Sequence, residues 1–467
     1  MNLTDALRLN TEAAAPEVVS FVGAGGKSSA MFRLAGEMTA QGRRVIVTTT
    51  TRIAADQIRL SPAFVSTEGG RLPLDDLAAA LDRHGQCLVI GRDVIERGPG
   101  VKKAGIRPEE VDELAARAPA LGVDAILIEA DGSRMLPAKA PDSHEPALPR
   151  STTLLVPVIG LNALGAPVDE IHVQRADLIC KLLHLPAQGP ARLTPTQMAR
   201  LLVHPNGGAK DRPSGARFLA LLNQVDDPPR LAAARLIARN LAQNGFSALL
   251  GAVGLMEREP IRERWGPVTA IVLAAGESAR LGRPKQLLAV EGQPLVARAA
   301  RVALESSAQQ VIVVTGAWRE AVTEALAPLV ADADGRLRLI HNEKWRTGQA
   351  SSMQAGLTAC APAAEAALFM PVDQPRLAAA LLRRLIEAWR VGACMATPAV
   401  DGELRGAPGL FDRSLWPELM AVCGDTGGRP LLRRYREQVR TVPANTETLA
   451  DIDTLADFQG LTHSTFD

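Results

Sequence analysis

Aromatic residues are scarce in this chain of 467 residues, at 3%. Stacking platforms for single-stranded nucleic acid need them, so that class of partner is not expected. Positive charge is not in excess either. With 52 basic and 51 acidic residues the formal net charge is +1, unlike the basic footprint of a dedicated nucleic-acid binder. The five cysteines, Cys87, Cys180, Cys360, Cys394 and Cys423, are widely scattered and form no CxxC pair. That argues against a disulfide framework or a zinc finger and suits a reducing cytoplasm. The most apolar long segment, Leu154 to Val168, is broken by Pro157, Gly160, Asn162 and Gly165. It is too short and too interrupted to span a bilayer, so no membrane association is expected. The opening MNLTDALRLN has no basic stretch leading into an apolar core, so no secretory signal is expected.

What the chain does have is a globular balance, 47% hydrophobic and 22% charged, and a length suited to two or more domains. Apolar runs alternate with amphipathic helical patterns, which predicts α/β architecture with mainly parallel sheets flanked by helices. The stretch EREPIRERWGP is charged and holds two prolines. It reads as a linker or domain edge. The expected division is residues 1–256, a linker at 257–267, and 268–467.

The first half opens on an apolar run, Val18 to Val22, followed by Gly23-Ala24-Gly25-Gly26-Lys27-Ser28-Ser29 and a helical pattern. Strand, Gly-rich loop and helix N-terminus together suit a phosphate. Lys27 is placed to reach β and γ phosphates and Ser28 to ligate Mg²⁺. Phe21 stands where GxxxxGKS/T has its first glycine, which makes the loop tighter. The alternative is a βα turn without ligand. Thr48 to Thr51 end a second strand. Ala125 to Ile128 reads as a strand running into Glu129-Ala130-Asp131, where a carboxylate could hold Mg²⁺ or simply form an Asp-Gly turn. Phe218 to Leu222 ends in Asn223-Gln224-Val225-Asp226, similar to the base-reading NKxD string with Gln224 in place of lysine. Lys139, His144 and Glu145 lie in a polar segment suited to an anionic cofactor, to proton transfer, or to a plain loop.

The second half carries the more specific signal. Val268 to Val272 reads as a buried strand and opens into LAAGESARLGRPKQLL, Leu273 to Leu288. Small residues at Ala274, Ala275, Gly276 and Gly282 let backbone N–H groups approach phosphate oxygens. Arg280 and Lys285 offset charge on a triphosphate. Strand Gln310 to Thr315 ends at Gly316, beside the expected base. Asn342 to Trp345 and Gly348 to Ser352 follow, with Ser351 and Ser352 either lining the nucleotide or capping a helix. Asp373 ends the strand Ala366 to Met370, where a carboxylate would hold Mg²⁺.

The string from Leu273 to Leu288 meets every fixed position of LAAGxSxRxGxxKxLL. It resembles the signature loop of the molybdenum cofactor cytidylyltransferase family, whose fold is Rossmann-like. PVDQP at Asp373, RGAP at Arg405-Gly406, GDTGGR at Asp425 and Arg429, and ADIDT at Asp453 are similar to further segments of that family. GAGGKSS, TTTT, EADGS, KAPDSHEPALP and NQVD, taken in order, resemble the YqeC type of accessory protein of selenium-dependent molybdenum hydroxylases, over about residues 15 to 255. The resemblances imply a P-loop-like nucleotide-binding module fused to a nucleotidyltransferase. They imply CTP, Mg²⁺ and molybdopterin or its molybdenum form as substrates and cofactor, and a molybdenum hydroxylase as recipient. Lys285, Arg280 and Asp373 would be catalytic, and Asp373 and Asp453, with Asp451 as the alternative to Asp453, metal ligands. Leu273 to Gly276, Gly282, Thr315, Gly316, Ser351 and Ser352 would bind nucleotide. Arg405, Gly406, Asp425 and Arg429 would hold the second substrate. In the first half, Gly23, Gly25, Gly26, Lys27, Ser28, Ser29, Glu129, Asp131, Asn223 and Asp226 would form a second nucleotide site. Guanylyltransferase relatives carry LAGG, so the Ala275 methyl favours a pyrimidine. Rival readings are a transferase using GTP or a sugar phosphate, and a non-catalytic cofactor chaperone.

Overall fold

The computed structural model describes residues 1–9, 15–91, 94–95, 102–186, 191–254, 258–278 and 281–463. It divides into two compact units, Met1–Trp265 and Gly266–Asp467. Both are α/β, with mainly parallel sheets flanked by helices.

The first unit is built on nine strands: β1 (Glu17–Gly23), β2 (Val45–Thr49), β3 (Phe64–Thr67), β4 (Gln86–Gly91), β5 (Ala125–Glu129), β6 (Leu154–Gly160), β7 (Arg217–Asn223), β8 (Ser247–Gly251) and β9 (Ile261–Trp265). Their order is β9-β8-β7-β6-β1-β5-β2-β4-β3. All neighbours run parallel except the edge pair β8 and β9. β1 and β5 are apolar along nearly their whole length because helices cover both faces of the sheet. β1 lies between β5 and β6, so the strand order switches there. Open α/β sheets bind ligands at the carboxyl ends of strands beside such a point.

The stretch expected as a linker contains β9, which completes the first sheet. Its acid is neutralised locally: Glu263 accepts from Trp265 Nε1 at 2.8 Å and from Arg235 Nε at 2.8 Å. A charged segment therefore packs as a sheet edge.

The second unit holds β10 (Val268–Ala274), β11 (Gln310–Thr315), β12 (Leu337–His341), β13 (Ala366–Pro371), β14 (Met395–Val400), β15 (Glu403–Leu404), β16 (Gly409–Asp412) and β17 (Val439–Pro443). The order is β12-β11-β10-β13-β16-β14-β15, with β17 parallel to β14. β10 runs parallel to both neighbours, while β16 is antiparallel to β13 and to β14. The Gly-rich loop leaves β10 at the switch point, and Asp373 follows the end of adjacent β13. Gly316 is required where it stands, since a Cβ there would lie 2.4 Å from the Ala275 carbonyl oxygen. Among the described residues no helix is long and apolar enough to cross a membrane.

Candidate active site

In the second unit the loop after β10 is held by Gln286, a buried side chain. Its amide donates to the carbonyls of Ala274 at 3.0 Å and Gly276 at 2.7 Å. Ser278 Oγ accepts from the Lys285 backbone N–H at 3.0 Å. These bonds present Lys285 from a short 3-10 turn, Lys285–Leu287.

Lys285 Nζ donates to Asp373 Oδ2 at 2.9 Å and to Asp453 Oδ1 at 2.9 Å. Burial disfavours the ammonium, but the Asp373 and Asp453 carboxylates outweigh it and raise its pKa. The Asp373 carbonyl accepts from the Ile452 N–H at 3.0 Å, which brings the distant Asp451–Asp453 turn against the end of β13. Gln374 Nε2 binds Asp451 Oδ1 at 3.0 Å. Burial, then the nearby charges of Asp373 and Asp453, push the Asp451 carboxyl upward.

Asp373 Oδ1 is buried and, among the described residues, has no hydrogen-bond partner. Two carboxylates, Asp373 and Asp453, gathered on one ammonium are a donor set that fits Mg²⁺. Among the described residues no trio of His, Cys, Asp or Glu converges for a metal. Mg²⁺ takes one or two protein carboxylates and keeps waters or phosphate oxygens.

Two clefts meet here. One, of about 610 Å³, is lined by Leu273, Ala275, Gly276, Lys285, Trp345, Gln349, Ser352, Asp373 and Asp425 among others. The other, of about 490 Å³, is lined by Arg405, Gly406, Arg429 and Asp451, and shares Gln349 and Asp373 with the first. Both volumes are in the range of small-molecule sites.

Several expected residues sit elsewhere. Arg280 lies outside the described residues. Ala274 is buried in the core. Thr315 is buried, its hydroxyl donating to the Ile340 carbonyl at 3.1 Å, and neither it nor Gly316 lines either cleft. Gly282 takes a φ of +68° and likewise lines neither. Ser351 turns to the Lys344 and Gly348 carbonyls, both at 2.9 Å. The serines do not cap their helix, Gln349–Thr358, whose N-cap is Gly348. Asp425 meets that helix instead: its Oδ1 accepts from the Gln349 N–H at 3.1 Å. It therefore belongs to the first cleft rather than to the second. Of the expected second-substrate set, Arg405, Gly406 and Arg429 line the second cleft.

In the first unit the loop Gly23–Gly26 leads into the helix Lys27–Ala40. A Cβ on Gly25 would lie 2.3 Å from Gly160 N, and one on Gly26 2.2 Å from Asn223 Nδ2. Asn223 donates to the Gly25 carbonyl at 2.7 Å and accepts from Val253 N–H at 2.9 Å, so it holds the loop. Asp226 pairs with Arg230 at 3.0 Å on the following helix.

Lys27 is buried and donates to the Gly23 carbonyl at 2.7 Å. It lies 3.2 Å from Asp131 and 3.6 Å from Glu129. Burial opposes its charge, yet these two carboxylates raise its pKa. Ser28 Oγ donates to Glu129 at 2.6 Å, and Ser29 sits in the first helical turn. Asp131 also pairs with Lys139 at 3.1 Å, Lys139 with Glu145 at 2.6 Å, and Glu145 with Arg175 at 2.8 Å. The exposed His144 is not part of this chain of charges.

Gln286 and Gln349 were missed by sequence reasoning. Gln286 occupies a variable position of the loop pattern. Gln349 carries no chemical signal except its place after Gly348.

A family model described as YqeC protein matches residues 19–177, and one described as MobA-like NTP transferase domain matches residues 270–439. An uncharacterized protein YqeC of Escherichia coli K12 is 32% identical over 234 residues, covering 50% of this chain and 86% of the relative. A nicotine blue oxidoreductase of Paenarthrobacter nicotinovorans is 35% identical over 196 residues, covering 40% of this chain and 93% of the relative. The solved structure of Rv0371c from Mycobacterium tuberculosis H37Rv is 30% identical with a TM-score of 0.38, covering 42% of this chain and 98% of that one.

Proposed function

The chain belongs to the YqeC protein family through its first unit and to the MobA-like NTP transferase family through its second, and from that premise we propose that the second unit transfers CMP from CTP to the terminal phosphate of molybdopterin or its molybdenum form, releasing pyrophosphate. The observation that carries this reading is Lys285, held between Asp373 and Asp453 where two ligand-sized clefts meet. The nucleotide occupies the cleft of the Gly-rich loop, and the acceptor occupies the cleft of Arg405 and Arg429.

The acceptor phosphate oxygen attacks the α-phosphorus, and the bond to the β-phosphate oxygen breaks. A phosphate monoester is already largely ionised near neutrality, since its second pKa is about 6. No general base is needed, and catalysis is positioning plus neutralisation of charge. Lys285 exchanges a carboxylate for the α-phosphate, and Arg280 is assigned to the β and γ groups. Asp373 and Asp453 would hold Mg²⁺, which would supply positive charge against the phosphate oxygens. Ala275 narrows the base site toward a pyrimidine.

The first unit is proposed as a nucleotide-binding module serving maturation of a molybdenum hydroxylase in the cytoplasm. Lys27 and the N-terminus of its helix would hold phosphates, and Ser28, Glu129 and Asp131 would be the residues to hold Mg²⁺.

The shared fold does not decide the reaction, and one relative of the second unit is named an oxidoreductase. The test is pyrophosphate release from CTP, GTP, ATP and UTP with Mg²⁺, with and without molybdopterin. Release from CTP only with the pterin, lost in Asp373→Ala and on chelation, supports the reading. Release from GTP would replace the base assignment, and silence with every nucleotide would replace the transferase reading with that of a cofactor chaperone.

A further inference from the structure

Beyond the second cleft the surface continues into a groove of about 440 Å³ lined by Glu403, Arg405, Gly406, Arg429, Arg433 and Arg436, with two leucines. Arg405, Gly406 and Arg429 line both cavities, so the groove is an extension of the acceptor cleft. Arg429 and Arg433 are four residues apart on the helix Arg429–Arg434, and Arg436 follows in the next turn. Like charges at that spacing repel. Among the described residues none of the four guanidinium groups has an ion pair or a side-chain hydrogen bond. Arg434, on the same helix, does pair, with Glu418 at 2.9 Å. Glu403 is the one acid lining the groove. In a chain of net charge +1 this is a local concentration of unpaired cations.

We infer that the groove binds a second anionic group of the acceptor. The acceptor is thus negatively charged at both ends: a phosphate near Asp373 that Arg405 and Arg429 orient, and a distal oxyanion held by Arg433 and Arg436. Guanidinium forks match the planar oxygens of carboxylate, phosphate and similar oxyanions. A concave, ligand-sized extension of the acceptor cleft suits a small molecule rather than the face of a protein. The inference rests on the proposed function only for the identity of the acceptor.

The test is calorimetric titration of the full chain at low salt with fructose 1,6-bisphosphate and with fructose 6-phosphate, two probes that differ by one phosphate. The bisphosphate is expected to bind about tenfold tighter or more. Arg433→Ala/Arg436→Ala brings the two affinities to within about twofold, and Arg433→Lys/Arg436→Lys keeps only part of the difference, because charge is retained but the fork is lost. Equal affinities in the wild type, or an advantage that survives the double alanine variant at wild-type melting temperature, would overturn it. An Arg433- and Arg436-dependent affinity for a ten-residue polyglutamate, without any advantage of the bisphosphate, would instead make the groove a protein-docking surface. A preserved bisphosphate advantage with no pyrophosphate release would leave this site standing and remove the transfer reading.

Discussion

Lys285 Nζ stands 2.9 Å from Asp373 Oδ2 and 2.9 Å from Asp453 Oδ1, so one ammonium joins the Gly-rich loop, a central strand end and the C-terminal turn. Asp373 is mostly buried and Asp453 is half-exposed. Removing the more buried charge should matter more. Asp373→Asn and Lys285→Met are each expected to slow nucleotidyl transfer by about 10² to 10³. Asp453→Asn, better solvated, is expected to cost about tenfold. Single-turnover rates at saturating nucleotide measure this, and an Asp373→Asn enzyme at wild-type rate would end the assignment.

Gln286 is expected to act as a positioning residue. Gln286→Ala leaves two carbonyls, those of Ala274 and Gly276, without their donor. An unmet buried acceptor costs about 1–3 kcal/mol. The variant should melt earlier and show a raised KM for the nucleotide, with a smaller change for the acceptor. Equal changes in both KM values would mean that the loop is not what Gln286 supports.

Gly348 has a φ of +112°, and a Cβ there would lie 2.4 Å from the Gly424 carbonyl carbon. Gly348→Ala is therefore expected to separate the two loops and break the bond between the Gln349 N–H and Asp425. The strain should exceed about 1 kcal/mol. Thermal unfolding and the KM for nucleotide should both report it. A wild-type melting temperature would show that the loops move apart freely.

Glu145 supplies a pH signature for the first unit. Burial opposes its charge, but hydrogen bonds from Lys139 and Arg175 more than offset that and lower its pKa. Such a carboxyl adds stability above its unfolded pKa of about 4.3, and that stability is lost as pH falls through the lower folded value. Glu145→Gln is expected to destabilise the unit by about 3 kcal/mol at pH 7, since it leaves Lys139 and Arg175 short of a charge. The gap to wild type should narrow as pH drops below about 4.3. Melting curves between pH 7 and pH 3.5 test it, and a constant gap would remove the ion pair as its cause.

Much of the fold can be read in the chain because buried parallel strands are continuous apolar runs. Val268–Ala274, Gln310–Thr315 and Ala125–Glu129 are of this kind. The stretch EREPIRERWGP holds the boundary between the two units, after Trp265, yet also forms a strand, because Glu263 is paired by Arg235, remote in sequence, and accepts a hydrogen bond from Trp265. The helix Leu455–His463 that follows the C-terminal aspartates is held at its start by a reciprocal pair. Thr454 Oγ1 accepts from the Asp457 N–H at 3.3 Å, and the Asp457 carboxylate accepts from the Thr454 N–H at 2.7 Å.

The order of residues alone determined the Gly-rich loops after β1 and β10, the strand-ending Asp373 and the family resemblance, because each is a local string. Tertiary structure decided which residues share a site. It set Asp453 against Lys285, placed Asp425 in the cleft of the Gly-rich loop, paired Asp226 with Arg230, and gathered Arg405, Arg429, Arg433 and Arg436 along one groove. The reason is physical: a strand ladder and a buried ion pair bring together side chains with no relation in sequence, and only their packing sets which charges meet.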